Sequence, residues 1–169
     1  MPAYLANDIL RYWRTLCLNY EAGTSIQTTR KQLPSDRAKR KIKNYKLKHS
    51  RMLTCYSAVL YLLFTYVRNE TVTPADAQKM VSMTPTERVE FVADQLKGSS
   101  PADSINNFLV KYERFLEVTS ASEVELIRLF SDEMEKEKLR EEQSEFGDMA
   151  YTILYSIGHD NRLYRRLLI

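Results

Sequence analysis

The stretch that decides the fold runs from Ser35 to Asn69 and reads SDRAKRKIKNYKLKHSRMLTCYSAVLYLLFTYVRN. Its first half, 35–51, is rich in cations, and its second half, 52–67, is almost entirely apolar and aromatic. Neither half contains Pro or Gly, so nothing interrupts helical hydrogen bonding. The pattern predicts one long helix with a solvated, basic beginning and a buried end. The cations of the first half are Arg37, Lys39, Arg40, Lys41, Lys43, Lys46, Lys48 and Arg51.

The whole chain has the composition of an ordinary globular protein. It has 169 residues, of which 44% are hydrophobic and 28% charged, and this length is enough for one domain with its own core. Only four Gly and five Pro occur, which favours long helices over a turn-rich β fold. No run of residues shows strand alternation with hairpin turns. We therefore predict an all-α fold, with residues 1–169 forming a single bundle of about six to eight helices around the long central helix.

The residues before the long helix predict one further helix and a loop. Apolar residues recur at three- and four-residue steps from Tyr4 to Glu21, which is typical of an amphipathic helix. Gly23 follows and is expected to end the helix. The polar run from Thr24 to Pro34 then predicts a loop.

Three helix-start motifs follow the long helix. Thr73, Thr84 and Ser100 are each followed by Pro and, three residues on, by a carboxylate. Each motif places a hydroxyl at the N-cap, Pro at the first helical position and an acid at the third, which satisfies amide groups that a helix start leaves unpaired. The first two motifs predict helices of two to three turns, and Gly98 is expected to close the second.

The remaining chain predicts two more long amphipathic segments and a tail. Asp103–Glu117 is expected to turn Ile105, Phe108, Leu109, Tyr112 and Leu116 inward. A helix from Ser122 to about Glu142 is expected to bury Val124, Ile127, Leu129 or Phe130, and Met134. Opposite charges three residues apart predict a solvated surface with the pairs Glu133–Lys136, Glu135–Lys138 and Glu137–Arg140. An apolar run over Phe146–Ile157, a stop at Gly158 and a short basic helix over Asn161–Leu168 complete the prediction.

The sequence indicates a cytoplasmic protein with no membrane segment. Residues 1–8 show neither the basic nor the apolar region of a signal peptide. The apolar run over 52–67 is shorter than the roughly 20 residues that a spanning helix needs. Cys17 and Cys55 both fall in apolar helical patterns, so we interpret them as buried thiols in a reducing compartment.

No complete catalytic motif is found in the sequence. The two His residues, His49 and His159, lie far apart, and neither paired Cys nor Glu-x-x-His is present, so no metal site is predicted. Glycine-rich phosphate loops and the Gly-x-Ser-x-Gly nucleophile motif are also lacking. The basic half of the long helix remains as the candidate site. We expect its cations to surround the helix and to bind a phosphate chain, a nucleic-acid backbone or an acidic partner, the alternative being a solvated helix extension.

Two separate stretches carry a resemblance to a known family. They are Asn7-Asp8-Ile9-Leu10-Arg11-Tyr12-Trp13-Arg14-Thr15-Leu16-Cys17-Leu18-Asn19-Tyr20-Glu21 and Lys43-Asn44-Tyr45-Lys46-Leu47-Lys48-His49-Ser50-Arg51. Together they resemble the helical C-terminal half of bacterial polymerase-β-type nucleotidyltransferase-like proteins. The resemblance covers roughly residues 3–67.

The resemblance implies a part of an enzyme and not a whole one. The family's catalytic half has a Gly-Ser turn and an Asp-x-Asp motif for metal ions, and this sequence has neither. It therefore looks like the accessory helical half, with magnesium, a nucleoside triphosphate and a catalytic domain in cis or in trans required for a complete enzyme. The residues that would form its nucleotide- or phosphate-binding wall are Arg11, Arg14, Asn44, Lys46, Lys48, Ser50 and Arg51.

Three functions remain open at this point. The chain is expected either to lend this basic wall to a nucleotide or RNA without transferase activity of its own, or to bind nucleic acid or an acidic partner as a free-standing module. A structural domain that forms homodimers through exposed aromatic residues is the third alternative.

Overall fold

A computed structural model describes residues 3–28 and 33–167 of the chain, and the side chains of residues 3–23 and 33–167. Every regular element in these ranges is helical, which confirms the all-α prediction. The α-helices are α1 (Ala3–Thr28), α2 (Pro34–Lys46), α3 (Met52–Asn69), α4 (Pro74–Ser82), α5 (Pro85–Gln95), α6 (Ser100–Thr119), α7 (Glu123–Ser131) and α8 (Glu133–Gly158). A π-helical turn, Leu47–Arg51, joins α2 to α3, and a short 3₁₀ turn, Tyr164–Arg166, lies near the end.

The long helix predicted around Ser35–Asn69 is confirmed. Helix α2, the π turn and α3 follow one another with helical backbone at each junction, and together they span about 50 Å at 1.5 Å per residue. Pro34 occupies the first turn, where its missing N–H costs nothing. The helix ends at Glu70, whose left-handed backbone (φ 57°) lets its N–H bond the Tyr66 carbonyl.

The π turn was not predicted, because residue type gives no signal for it. It lies where the buried side of the helix passes from one set of neighbours to another, and it contains His49. Short π-helical turns inside α-helices are often found at functional sites.

Helix α1 is longer than its sequence pattern predicts. The prediction that the helix ends at Gly23 is wrong, because α1 continues to Thr28. Gly23 does not adopt the left-handed backbone that terminates helices, so it costs about 1 kcal/mol in helix propensity without ending the helix. The predicted loop therefore begins later than Thr24, and its residues 29–32 lie outside the described residues.

Two of the three helix-start motifs are confirmed as capping boxes. Thr73 and Thr84 each accept from the backbone of the acid three residues on, and the acids Asp76 and Glu87 bond back to the cap amides at 2.8 Å and 2.6 Å. The third motif is wrong by one residue. Ser99 and not Ser100 is the N-cap of α6, because Ser99 has extended backbone (φ −114°, ψ 152°) and the helix begins at Ser100; the Ser99 hydroxyl makes no capping bond and donates instead to the Leu96 carbonyl at 2.6 Å.

The segment predicted as one helix from Ser122 to Glu142 is divided at Asp132. This residue has extended backbone, and its carboxylate caps α8 by accepting from the amides of Met134 and Glu135, both at 3.0 Å. The break changes which residues face inward, so Val124 and Met134 are 78% and 85% exposed and not buried as predicted. Leu116 of α6 is likewise half exposed, and its neighbour Phe115 is buried instead.

Helix α8 is continuous from the charged run into the apolar run, and it packs closely on α3. The helix ends at Gly158 as predicted, although this glycine is its last helical residue and not a left-handed residue after it, and a Cβ at Gly158 would lie 2.5 Å from a Leu63 methyl carbon. The tail forms only the 3₁₀ turn at Tyr164–Arg166 in place of the predicted helix over 161–168, of which residue 168 is not described.

Helix α3 is the centre of the core. Nearly every residue from Met52 to Thr65 is buried, with α1, α5 and α8 packed around it. A second apolar cluster lies between α2, α6, α7 and α8 and includes Tyr45, Phe115 and Phe130. Within the described ranges, no helix combines the length and apolar character needed to cross a bilayer.

Candidate phosphate-binding surface

The basic segment, which we define as residues 37–51, is amphipathic. Ala38, Ile42, Tyr45 and His49 recur every three or four residues and are buried against α6, α7 and α8. The prediction that cations surround this part of the helix is therefore wrong, since one side of it packs into the second cluster. The cations lie on the remaining sides, which concentrates their charge.

Most of the charge on the basic segment has no carboxylate partner in the part of the chain that the structure describes. It contains eight Lys and Arg residues. Lys39 pairs with Glu123 at 2.9 Å, and this contact raises the pKa of Lys39 through a hydrogen bond and charge attraction. None of the other seven forms an ion pair with a carboxylate in the described part of the chain.

An exposed row of lysines follows the solvent side of α2. Lys39, Lys43 and Lys46 are separated by four and three residues, so they lie on one side of the helix, and all three are exposed. Glu123 neutralises the first lysine only. Lys43 and Lys46 are therefore available to an external anion.

Lys48 is the cation that connects the long helix to α1. Its Nζ lies 5.8 Å from the ring centroid of Trp13, within range of a cation–π interaction. The Trp13 ring in turn packs edge-on against Tyr56 with centroids 6.3 Å apart. Lys48 also partly offsets the effect of burial, which raises the pKa of the neighbouring Cys17 thiol. Trp13 is thus both a residue of the core and the contact that holds Lys48 near α1.

The arginines assigned to the wall by resemblance lie in different surroundings. Arg11 pairs with Asp8 one turn earlier at 2.6 Å, and both side chains are largely exposed. It lies about 100° around α1 from the buried Leu10. Arg14 and Arg51 are exposed and pair with no carboxylate in the described ranges. Their convergence on one anion stays a prediction.

Asn44 and Ser50 lie in different surroundings. Asn44 is half-buried and lines a cavity of about 170 Å³ between the basic segment, α1, α7 and α8. The Ser50 backbone carbonyl accepts from the Thr54 hydroxyl at 2.9 Å, and its side chain is half-buried. Among the predicted wall residues, Lys46, Lys48, Arg14 and Arg51 are thus the ones whose charge has no acidic partner.

The cavity also contains residues that the sequence analysis missed. Lys136 and Arg140 line it from α8, although their pattern was interpreted as a solvated surface. The expected pairs Glu133–Lys136 and Glu137–Arg140 do form, the latter at 2.6 Å, while Glu135–Lys138 does not. The sequence did contain one indication: Lys136 and Arg140 are four residues apart, so they lie on the same side of α8.

His49 is enclosed by aromatic rings and does not belong to the exposed surface. Its ring stacks between Phe115 and Phe146, both with centroids 4.7 Å away, and its Nδ1 lies 2.9 Å from the Tyr45 carbonyl. Burial lowers its pKa to about 4, against which the Tyr45 hydrogen bond acts. The imidazole is therefore neutral at pH 7 and adds no charge to the basic segment.

No group of three or more His, Cys, Asp or Glu side chains is placed to hold a metal ion within the described residues. In comparisons with known proteins, no family model matches the sequence, and neither a curated protein nor a solved structure matches it.

Proposed function

We propose that this chain is the non-catalytic helical domain of a nucleotidyltransferase-like protein, whose basic segment forms one wall for the phosphates of a nucleoside triphosphate or RNA. One observation supports the proposal above the others. Seven of the eight cations between residues 37 and 51 have no carboxylate partner in the described part of the chain.

Such an arrangement is costly unless an anion is bound. Like charges on adjacent turns repel one another by a few tenths of a kcal/mol per pair in water. Cations near the beginning of a helix also oppose the helix dipole. Some cations elsewhere in the described part of the chain are balanced locally, such as Arg140 by Glu137 and Arg114 by Glu117, but the basic segment is where the most unpaired cations follow one another along the sequence. A phosphate-rich ligand would supply the missing negative charge.

The side chains differ in what they offer such a ligand. Lys43 and Lys46 act as mobile point charges on an exposed helix side, whereas Arg14 and Arg51 carry planar guanidinium groups that can bond two phosphate oxygens at once. Lys48 is held in place by Trp13. We assign the metal-binding carboxylates of a complete enzyme to the catalytic domain, so this chain would contribute positive charge and no metal ligands.

A free-standing nucleic-acid-binding module is the second candidate, and the length of the basic segment favours it. Residues 37–51 extend over about 20 Å of helix. In a double helix the phosphates of one strand advance by about 3.4 Å each along the axis, so this length can face several of them. A single triphosphate group would use only part of the surface.

The binding test compares two variants of equal charge. Lys43→Gln with Lys46→Gln removes two unpaired cations, and Lys97→Gln with Lys138→Gln removes two others outside the basic segment. Affinity for a fluorescent single-stranded RNA and for a fluorescent ATP analogue with magnesium is measured by anisotropy at several salt concentrations. We expect only the first variant to bind more weakly, with a salt slope smaller by about 1 to 1.5 for RNA. Equal affinities of the two variants would contradict the proposal.

A transferase assay separates the two candidates. The isolated chain is expected to transfer no nucleotide in the presence of magnesium and a nucleoside triphosphate, and transfer by the purified chain would refute the non-catalytic assignment. Restoration of activity when a catalytic domain with Gly-Ser and Asp-x-Asp motifs is added would favour the first candidate. Tight RNA binding with no effect on any such domain would favour the second.

A further inference from the structure

The last two turns of α8 carry aromatic rings on their exposed side. Tyr151, Tyr155 and His159 follow one another at one helical turn, and Tyr164 of the 3₁₀ turn packs against Tyr155. These four residues are termed the aromatic row. We propose that the aromatic row stacks the bases of single-stranded RNA. The inference goes beyond the proposed function and does not rest on it, because the basic segment would contact phosphates and the aromatic row would contact bases.

The rings of the aromatic row hold one another in place. The centroids of Tyr151 and Tyr155 lie 6.4 Å apart with planes at 25°, and those of Tyr155 and His159 lie 4.8 Å apart with planes at 18°. Tyr164 meets Tyr155 edge-on at 6.0 Å. The His159 ring is also fixed to the helix, since its Nδ1 lies 3.0 Å from the Tyr155 carbonyl oxygen. Side chains that are ordered before a ligand arrives lose less conformational freedom on binding.

The aromatic row is open to solvent although its rings are largely apolar. Tyr151 and Tyr155 are 50% and 48% exposed, and His159 is exposed as well. One exposed ring is ordinary on a protein surface, but three nearly parallel rings in a row form a platform for flat ligands. Every nucleic-acid base has a flat face that stacks on an aromatic side chain. The exposed residues between the rings, Thr152 and Ser156, are polar, which favours a base over an aliphatic protein segment.

The charge beside the aromatic row is weakly positive. Arg162 and Arg165 follow the row, are exposed and form no ion pair in the described part of the chain. The acids of the same region are Asp148 and Asp160. Residues 148–167 contain three Arg and two Asp, a net charge of +1 with the histidine neutral. This small excess tolerates a phosphate backbone but does not hold it alone, so stacking must supply most of the binding. We therefore expect the row to bind more weakly than the basic segment.

Two hydroxyl groups along the aromatic row assign the strand to RNA. Thr152 Oγ1 donates to the Asp148 carbonyl at 2.8 Å, and Ser156 Oγ donates to the Ile153 carbonyl at 2.9 Å. Because their protons are used within the helix, both oxygens can only accept a further hydrogen bond. The 2′-hydroxyl of ribose is a donor that DNA lacks. A ribose strand laid along the row can therefore form bonds that a deoxyribose strand cannot.

Fluorescence anisotropy tests the role of the bases with two labelled strands of equal length, an oligouridylate and a ribose-phosphate strand without bases. Tyr151→Leu with Tyr155→Leu removes two ring faces and keeps apolar side chains. This variant should bind the oligouridylate about fivefold or more weakly than the wild type does, and the abasic strand with unchanged affinity. Lys43→Gln with Lys46→Gln should weaken the binding of both strands. Failure of this inference and failure of the proposed function therefore give different results.

Three controls accompany the leucine variant. Tyr151→Phe with Tyr155→Phe keeps both rings and should bind the oligouridylate as the wild type does. Tyr12→Leu removes a tyrosine on α1 that is 55% exposed and lies outside the row, and it should leave the affinity unchanged. A deoxyribose strand of the same bases should bind the wild type more weakly than the oligouridylate does. Circular dichroism checks that each variant is folded.

NMR spectroscopy of the wild type keeps the proposal testable even if the leucine variant does not fold. The ring proton signals of Tyr151 and Tyr155 should shift when oligouridylate is added, because a stacked base shields them. Absence of these shifts, or equal oligouridylate affinities of the folded leucine variant and the wild type, would overturn the proposal. Equal binding of the deoxyribose strand would overturn the assignment to RNA. Wild-type dimers that the leucine variant abolishes, without any RNA binding, would show that the row contacts a second copy of the chain instead.

Discussion

The buried His49 makes the stability of this protein depend on pH in a window that carboxylates do not explain. Its side chain is 2% exposed and stacks between Phe115 and Phe146. Because burial lowers its pKa from 6.5 to about 4, the folded protein keeps the imidazole neutral where the unfolded chain protonates it. The unfolded state then binds more protons, so stability rises with pH across this window.

The size of the effect follows from the two pKa values. The full difference, from above pH 6.5 to below pH 4, corresponds to about 3 kcal/mol at 1.36 kcal/mol per pKa unit. Between pH 7 and pH 5 the same linkage relation gives a loss of about 2 kcal/mol. With a urea m-value of about 2 kcal/mol per M, the midpoint of unfolding should fall by about 1 M.

Urea unfolding at pH 7 and pH 5, followed by circular dichroism, measures this loss. His49→Phe removes the titrating group and keeps a ring between the two phenylalanines, so its midpoint should change little between the two pH values. His159→Gln removes the other, exposed histidine and should behave as the wild type does. Should the wild type and His49→Phe lose equal stability, or should NMR titration place the His49 pKa near 6.5, the reasoning is refuted.

Three further predictions concern the packing, the capping and the thiols. Gly158→Ala should cost about 1–3 kcal/mol, because its Cβ would meet the buried Leu63 at 2.5 Å. Gly147→Ala on the same helix meets nothing within 4 Å and should stabilise by about 0.5–1 kcal/mol; chemical unfolding that ranks the two alike would contradict this packing. Thr84→Ala removes a capping box and should lower the free energy of unfolding by about 1 kcal/mol, and no loss would count against the cap. Burial raises the pKa of Cys55 to about 11, so a thiol reagent at pH 8 should modify it only after unfolding; rapid modification of the native protein would show that it is accessible.

Sequence patterns predicted the helices well because the signals are local. The long helix follows from a run of 35 residues without Pro or Gly, and the starts at Thr73 and Thr84 follow from a hydroxyl, a proline and an acid within four residues. The errors come from local contacts that a periodic pattern does not show. Asp132 breaks the helix because its carboxylate caps α8, and the Ser99 hydroxyl bonds back to Leu96 where the motif predicted a cap at Ser100.

The site was less predictable because a sequence shows which residues are charged but not which residues they contact. The sequence names the cations, but only the structure shows that Lys39 pairs with Glu123 and that Lys43 and Lys46 pair with no carboxylate among the described residues. Helix α8 lies about a hundred residues further along the chain, so its Lys136 could not be placed next to Lys41 from spacing alone. The π turn and the enclosure of His49 also depend on contacts with α6 and α8.

The most direct test of the account is an NMR titration that maps where a phosphate-rich ligand binds. Backbone amide signals of the isotope-labelled protein are recorded as a short single-stranded RNA, or ATP with magnesium, is added. The account predicts that the largest shift changes lie in residues 37–51 and extend to Arg14 on α1, and that they disappear at high salt. Changes confined to other surfaces, such as the basic tail at Arg162–Arg166, or no changes at all, would contradict the central claim.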